Sequence, residues 1–202
     1  NSKWSPAYPD NLPAILNIGQ GSPTSLFSGN NARFPEKYRR GLFAFDWSFG
    51  IIYVDQLTPR GSSYKASAEE FISGAPLPLT DGIIGPDGAM YFLTGGRKLD
   101  SDLYRVYYGE NNLPNDPLIT KTPADILQAR NLRRQLEAFH TGPNAKAITL
   151  AWPNLKNKDR YIRYAARIAM ENQQLFQWQE KEFLEKDPQI LNKAMIDMAR
   201  TG

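Results

Sequence analysis

Hydrophobic and polar positions change period once along this chain, near residue 110. Before that point, short apolar runs are separated by turn residues. After it, apolar positions recur at helical spacing. Ile15–Ile18, Gly41–Trp47, Ile51–Leu57 and Lys65–Ile72 read as four consecutive strands. Gly19-Gln-Gly-Ser-Pro23, Ser48-Phe-Gly50 and Pro59-Arg-Gly-Ser62 punctuate them. Gly82–Ile84, Ala89–Thr94 and Leu103–Tyr108 read as three more. The turn between the first two of these, Gly85-Pro86-Asp87-Gly88, has a defined chemistry: Pro86 fixes φ, and Gly88 accepts a positive φ without steric cost. Such strands and turns suggest a sandwich, a barrel or the inner strands of a propeller blade.

The second half predicts helices. Thr122 as N-cap and Pro123 at the first helical position open one, whose apolar side is Ile126, Leu127, Leu132, Leu136 and Phe139. Gly142-Pro143 stops it. Further helices are expected over 144–154, from Asp159 with a stripe of Ile162, Ala165, Ala166 and Ala169, over Leu175–Glu185, and after Asp187-Pro188. Residues 1–110 are thus expected to form the β part, 111–121 a linker, and 122–202 the helical repeats. The polar stretch Gly109–Pro117 marks that linker.

Composition narrows the chemistry. The chain has 202 residues, 41% of them hydrophobic, enough for a core. No apolar run is long enough to span a membrane. With no cysteine, the chain offers no disulfide, thiol nucleophile, Cys-bound zinc or covalent haem attachment within these residues. The net charge of +3 comes from the helical half, where basic and acidic residues mix at helical spacing. That pattern describes a solvated helix surface, not a nucleic-acid face. His140, the sole histidine, falls at the end of the first helix, where the helix dipole favours its charge. A Ser-His-Asp triad or a multi-histidine metal site therefore cannot be assembled from this chain alone.

Five motifs in order carry a family resemblance: Ser22-Pro-Thr-Ser25, Asn31-Ala-Arg-Phe-Pro-Glu-Lys-Tyr38, Gly41-Leu-Phe-Ala-Phe-Asp46, Gly85-Pro-Asp-Gly-Ala-Met-Tyr91 and Leu103-Tyr-Arg-Val106. Together they resemble the C-terminal end of six-bladed soluble glucose/sorbosone dehydrogenase-like propellers, which use pyrroloquinoline quinone (PQQ) and calcium. Trp152-Pro-Asn-Leu155 followed by Asp159–Arg167 resembles a HEAT repeat, with a salt bridge from Asp159 to Arg163 or Arg167. The whole chain is similar to large secreted proteins of planctomycete-type bacteria that join such a propeller to helical repeats and often to a c-type cytochrome. The resemblance implies an α+β multidomain fold, a propeller blade segment followed by a HEAT-like solenoid. It also implies a periplasmic or extracellular setting and a chain that is a segment of a longer protein. The base for hydride removal would lie upstream of residue 1, and haem c downstream.

The family's Arg-x-Arg-Asp motif meets Pro78-Leu79-Thr80-Asp81 here: Asp81 matches, and both arginine positions are uncharged. Each missing arginine removes a charge-assisted contact worth about 1.5–3 kcal/mol to a quinone carboxylate. The resemblance leaves Asp81 as the candidate cofactor-site residue, with Arg97 as a substitute cation. Read from its turn setting, Asp81 is either a ligand for substrate, metal or cofactor, or a carboxylate accepting backbone N–H groups. Asp87 reads as a turn residue, and Asp46 as a local hydrogen-bond acceptor or a rim site. Tyr53, Tyr91, Tyr104, Tyr107 and Tyr108 either stack on sugar or pack between strands. Two functions follow as expectations. One is a segment of a quinoprotein sugar dehydrogenase that contributes channel wall and a helical array for docking a cytochrome. The other is a non-catalytic scaffold that binds polysaccharide or a protein partner.

Overall fold

A computed structural model of the chain describes Tyr8, residues 11–109, Leu118 and residues 121–201. Most of the expected linker lies outside the described residues. Seven strands and six α-helices are present among those described: β1 (Pro23–Ser28), α1 (Glu36–Arg39), β2 (Leu42–Asp46), β3 (Ile51–Arg60), β4 (Ser63–Ser73), β5 (Leu79–Ile84), β6 (Met90–Thr94), β7 (Leu103–Val106), α2 (Ala124–Glu137), α3 (Ala147–Asn154), α4 (Arg160–Glu171), α5 (Gln179–Leu184) and α6 (Pro188–Thr201). The chain divides into two compact units. One holds residues 15–58 and 65–121, and the other holds 1–14, 59–64 and 122–202.

The sheet unit contains a four-stranded sheet in the order β1-β2-β3-β4 and a three-stranded sheet in the order β5-β6-β7. The described pairings are antiparallel, and neither sheet closes. Alternation in β2 and β3 buries Phe43, Phe45, Ile52 and Val54 on one face. Phe92 of β6 meets Phe45 edge to face at 6.0 Å, joining the two sheets through one core with Leu79 and Met90. Gly82 permits that approach: a Cβ there would come within 2.6 Å of the Phe45 ring.

The helical unit packs around α4. Its Ile162, Ala165, Ala166, Ala169 and Met170 are buried, and α2, α3 and α6 all lie against it. The small residues of α4 let three neighbours approach a single helix. Trp152 of α3 and Trp178 fill the core beside it, 6.4 Å apart.

This corrects the expected propeller segment and solenoid: the chain is a small α+β fold. A propeller requires blades arranged radially about a channel, and two open sheets sharing a core enclose none. A solenoid stacks helix pairs that contact only their neighbours, whereas here α4 is common to three others. Local elements also differ. Ile15–Ile18 is not a strand, and its place is taken by β1, a polar edge strand that begins with proline and anchors only Phe27 in the core. The helix expected over Leu175–Glu185 breaks at Trp178 into a single 3-10 turn, Leu175–Gln177, and α5. Among the described residues the expected repeat salt bridge does not form: Arg163 donates to the carbonyls of Asn157 and Lys158, and Arg167 pairs with Glu171 and Asp197.

Candidate docking surface

Pairing in the three-stranded sheet places Ile83 opposite Tyr91, and Tyr91 opposite Arg105. One step along, Asp81 pairs with Leu93, and Leu93 with Leu103. Because side chains alternate across a strand, these six residues share one face. Gly82, Ile84, Met90, Phe92 and Val106 take the other face, toward the core. The shared face is open to solvent: Ile83 is 64% exposed, Leu93 47% and Leu103 67%. Leu93 and Leu103 are direct cross-strand partners and Ile83 lies diagonal to Leu93, so the three exposed aliphatic side chains are neighbours on one face, whereas singly scattered apolar residues would need no explanation.

One end of the patch carries a polar cluster. Asp87 Oδ2 accepts from Arg105 Nη2 at 2.8 Å and from the Tyr91 hydroxyl at 2.9 Å, and Asp87 Oδ1 accepts the Ala89 N–H at 3.1 Å. The Arg105 guanidinium, with these two further hydrogen bonds, holds the Asp87 carboxyl down at about 2. Arg105 also lies 5.0 Å from the centre of the exposed Tyr107 ring. Asp87 is therefore the turn residue the sequence suggests, and it also fixes Arg105 and Tyr91 at the rim of the patch.

Asp81 is at the other end. Its Oδ1 accepts the Ser25 hydroxyl at 2.7 Å and the Gly82 N–H at 2.8 Å, and these bonds hold its carboxyl below the usual carboxylate range. Arg97 lies in a different setting, 5.0 Å over the Trp47 ring, while the Trp47 indole N–H donates to the Gly95 carbonyl at 2.9 Å. The two residues thus have separate contacts. Thr80, at an expected arginine position, donates to the Leu93 carbonyl at 3.0 Å. Around Asp81 the side chains offer an anion and hydroxyls, a set that does not fit a tricarboxylate quinone. No group of three or more His, Asp or Glu suited to a metal ion occurs among the described residues.

The remaining candidates serve the fold. Buried Asp46 accepts the N–H groups of Ser22 at 3.0 Å and Ser48 at 2.9 Å, tying two loops together. The His140 Nε2 lies 2.8 Å from the Ala165 carbonyl of α4. Tyr104 stacks on Phe92 at 4.9 Å. Ile83, Leu93 and Leu103 read from the sequence as ordinary strand residues. Their signal was that both faces of β5 and β6 read as apolar, although only one face of this sheet packs on the core.

Comparison with protein-family models, with curated proteins and with solved structures returns no match for this chain.

Proposed function

We propose that this chain is a non-catalytic binding module that docks an apolar β-sheet face of a partner protein onto the outer face of its own three-stranded sheet. The observation that carries it is the alignment of Ile83, Leu93 and Leu103 in neighbouring register, all strongly exposed. Sheet faces with this alternation pack against other sheets through interdigitating aliphatic side chains. The fixed Arg105–Asp87 pair at one end and Asp81 at the other supply a polar rim, the usual border of an apolar contact. A protein face fits better than polysaccharide because the centre of the patch is aliphatic. The one aromatic ring paired within it, Tyr91, is committed through its hydroxyl to Asp87.

The test is co-purification of the full chain from its native host with and without the double substitution Ile83→Lys and Leu103→Lys. A stoichiometric protein partner lost from the double variant, with the melting temperature retained, is the expected result. Partner retention in the double variant, or saturable binding of a soluble polysaccharide that it abolishes, would overturn the assignment.

A further inference from the structure

We propose that the helical unit binds a small apolar carboxylate in the groove between the end of α2 and the start of α3, with Lys146 as its counter-charge. The groove has a volume of about 590 Å³, within the range of sites that hold small organic ligands. Phe139 and Leu150 supply its larger apolar surfaces, and Ala138 and Ala145 leave room beside them. The loop that shapes it is held in place. Buried Gln173 accepts the Asn144 N–H at 2.7 Å, and Asn144 Oδ1 accepts the Lys146 N–H at 2.9 Å.

Charge selects the ligand. Among the described residues no acidic side chain lines the groove, and the Lys146 ammonium has no ion-pair partner. An apolar surface bordered by one free cation is complementary to an apolar body with a single anionic head. A neutral hydrocarbon would leave the ammonium unused, and a cationic amphiphile would be repelled. The site is separate from the sheet face and stands or falls independently of the function proposed for it.

Isothermal titration of the full chain with decanoate, octanoate and decanol, each below its aggregation threshold, tests the assignment. Decanoate is expected to bind one to one, about tenfold tighter than octanoate for the two lost methylenes and about fivefold tighter than decanol for the lost charge. Lys146→Gln should bring decanoate to the level of decanol. Thr149→Trp, which places an indole at the groove margin, should abolish both. Lys146 and Thr149 are exposed, so both variants should keep the wild-type melting curve. The proposal is overturned if decanoate does not saturate, or if either variant binds it as wild type does. Dimerisation of the wild type that Thr149→Trp abolishes would also overturn it, by showing that a second copy fills the groove.

Discussion

Asp159 joins two segments 97 residues apart in the chain: its Oδ2 accepts the backbone N–H of Ser62 at 2.7 Å. Its Oδ1 accepts the N–H groups of Tyr161 at 2.8 Å and Ile162 at 3.3 Å, capping α4. Both carboxylate oxygens are thus used on backbone donors that would otherwise be left without acceptors. Gly61 makes the approach possible, since a Cβ at that position would come within 2.3 Å of Oδ2.

Removing that carboxylate is therefore expected to cost more than an ordinary cap. Asp159→Ala should destabilise the chain by about 2 kcal/mol, a cap's worth plus the unsatisfied Ser62 donor. Asp159→Asn, which keeps an acceptor for the helix end, should cost about 1 kcal/mol or less. Chemical denaturation of the two variants measures the difference. A loss of about 1 kcal/mol for Asp159→Ala with none for Asp159→Asn would show that the helix cap alone accounts for the residue.

Legibility of the fold followed the range of the interactions. The turn at Gly85–Gly88, the strands around Phe43, Ile52, Ile84 and Phe92, and the helix starting after Asp159 were all readable, because period, turn chemistry and capping are local signals. Gly88 does take a positive φ, and a helix does start after Asp159. The arrangement of strands into two open sheets, and of helices about α4, was not readable. Both depend on which faces meet, and a blade-like strand order is compatible with closed and open arrangements alike. Strand β1 was missed because Pro23-Thr-Ser-Leu-Phe-Ser28 is polar at most positions, and α1 because a single turn has no period. The docking face could be read only after the register had paired Leu93 with Leu103.

The buried cluster between α4 and α6 predicts a pH dependence. Asp197 is fully buried, with Arg167 Nη1 at 3.4 Å from its Oδ1 and the Glu171 carboxyl group beside it, and Arg167 itself pairs with Glu171, which also takes Arg200 at 3.0 Å. Burial pushes the Asp197 carboxyl up to about 8 against the partial opposition of Arg167. A raised carboxyl stabilises the fold below the unfolded-state value near 3.8, and that contribution is lost as pH rises through about 8. Stability should therefore decline between about pH 4 and 8, and Asp197→Asn should flatten the decline. Denaturation curves across that range on both proteins give the answer. Parallel wild-type and variant profiles would count against it.

The turn after β6 carries strain that substitution should relieve. Arg97 and Lys98 have φ of 51° and 67°, and Leu99 donates to the Gly96 carbonyl at 3.0 Å. Two consecutive positive φ values at the centre of a four-residue turn favour asparagine and glycine, not lysine. Lys98→Gly is expected to raise stability by about 1 kcal/mol. A fall in melting temperature would show that the Lys98 side chain makes a compensating contact.

Exposed aliphatic residues selected for docking should be dispensable for folding. Ile83→Lys and Leu103→Lys should each change stability by no more than about 0.5 kcal/mol while raising solubility. A loss of 2 kcal/mol or more from either would place that side chain within the fold's own core.

The docking face itself is tested most directly by site-specific photocrosslinking in the native host, with a benzophenone side chain at Leu93 and, as a control, at Phe176 on the other unit. The expected result is a single discrete adduct to another polypeptide from position 93, absent from position 176 and lost when Ile83→Lys is added. No adduct from position 93, or one that survives Ile83→Lys, would contradict a protein-docking role for this sheet.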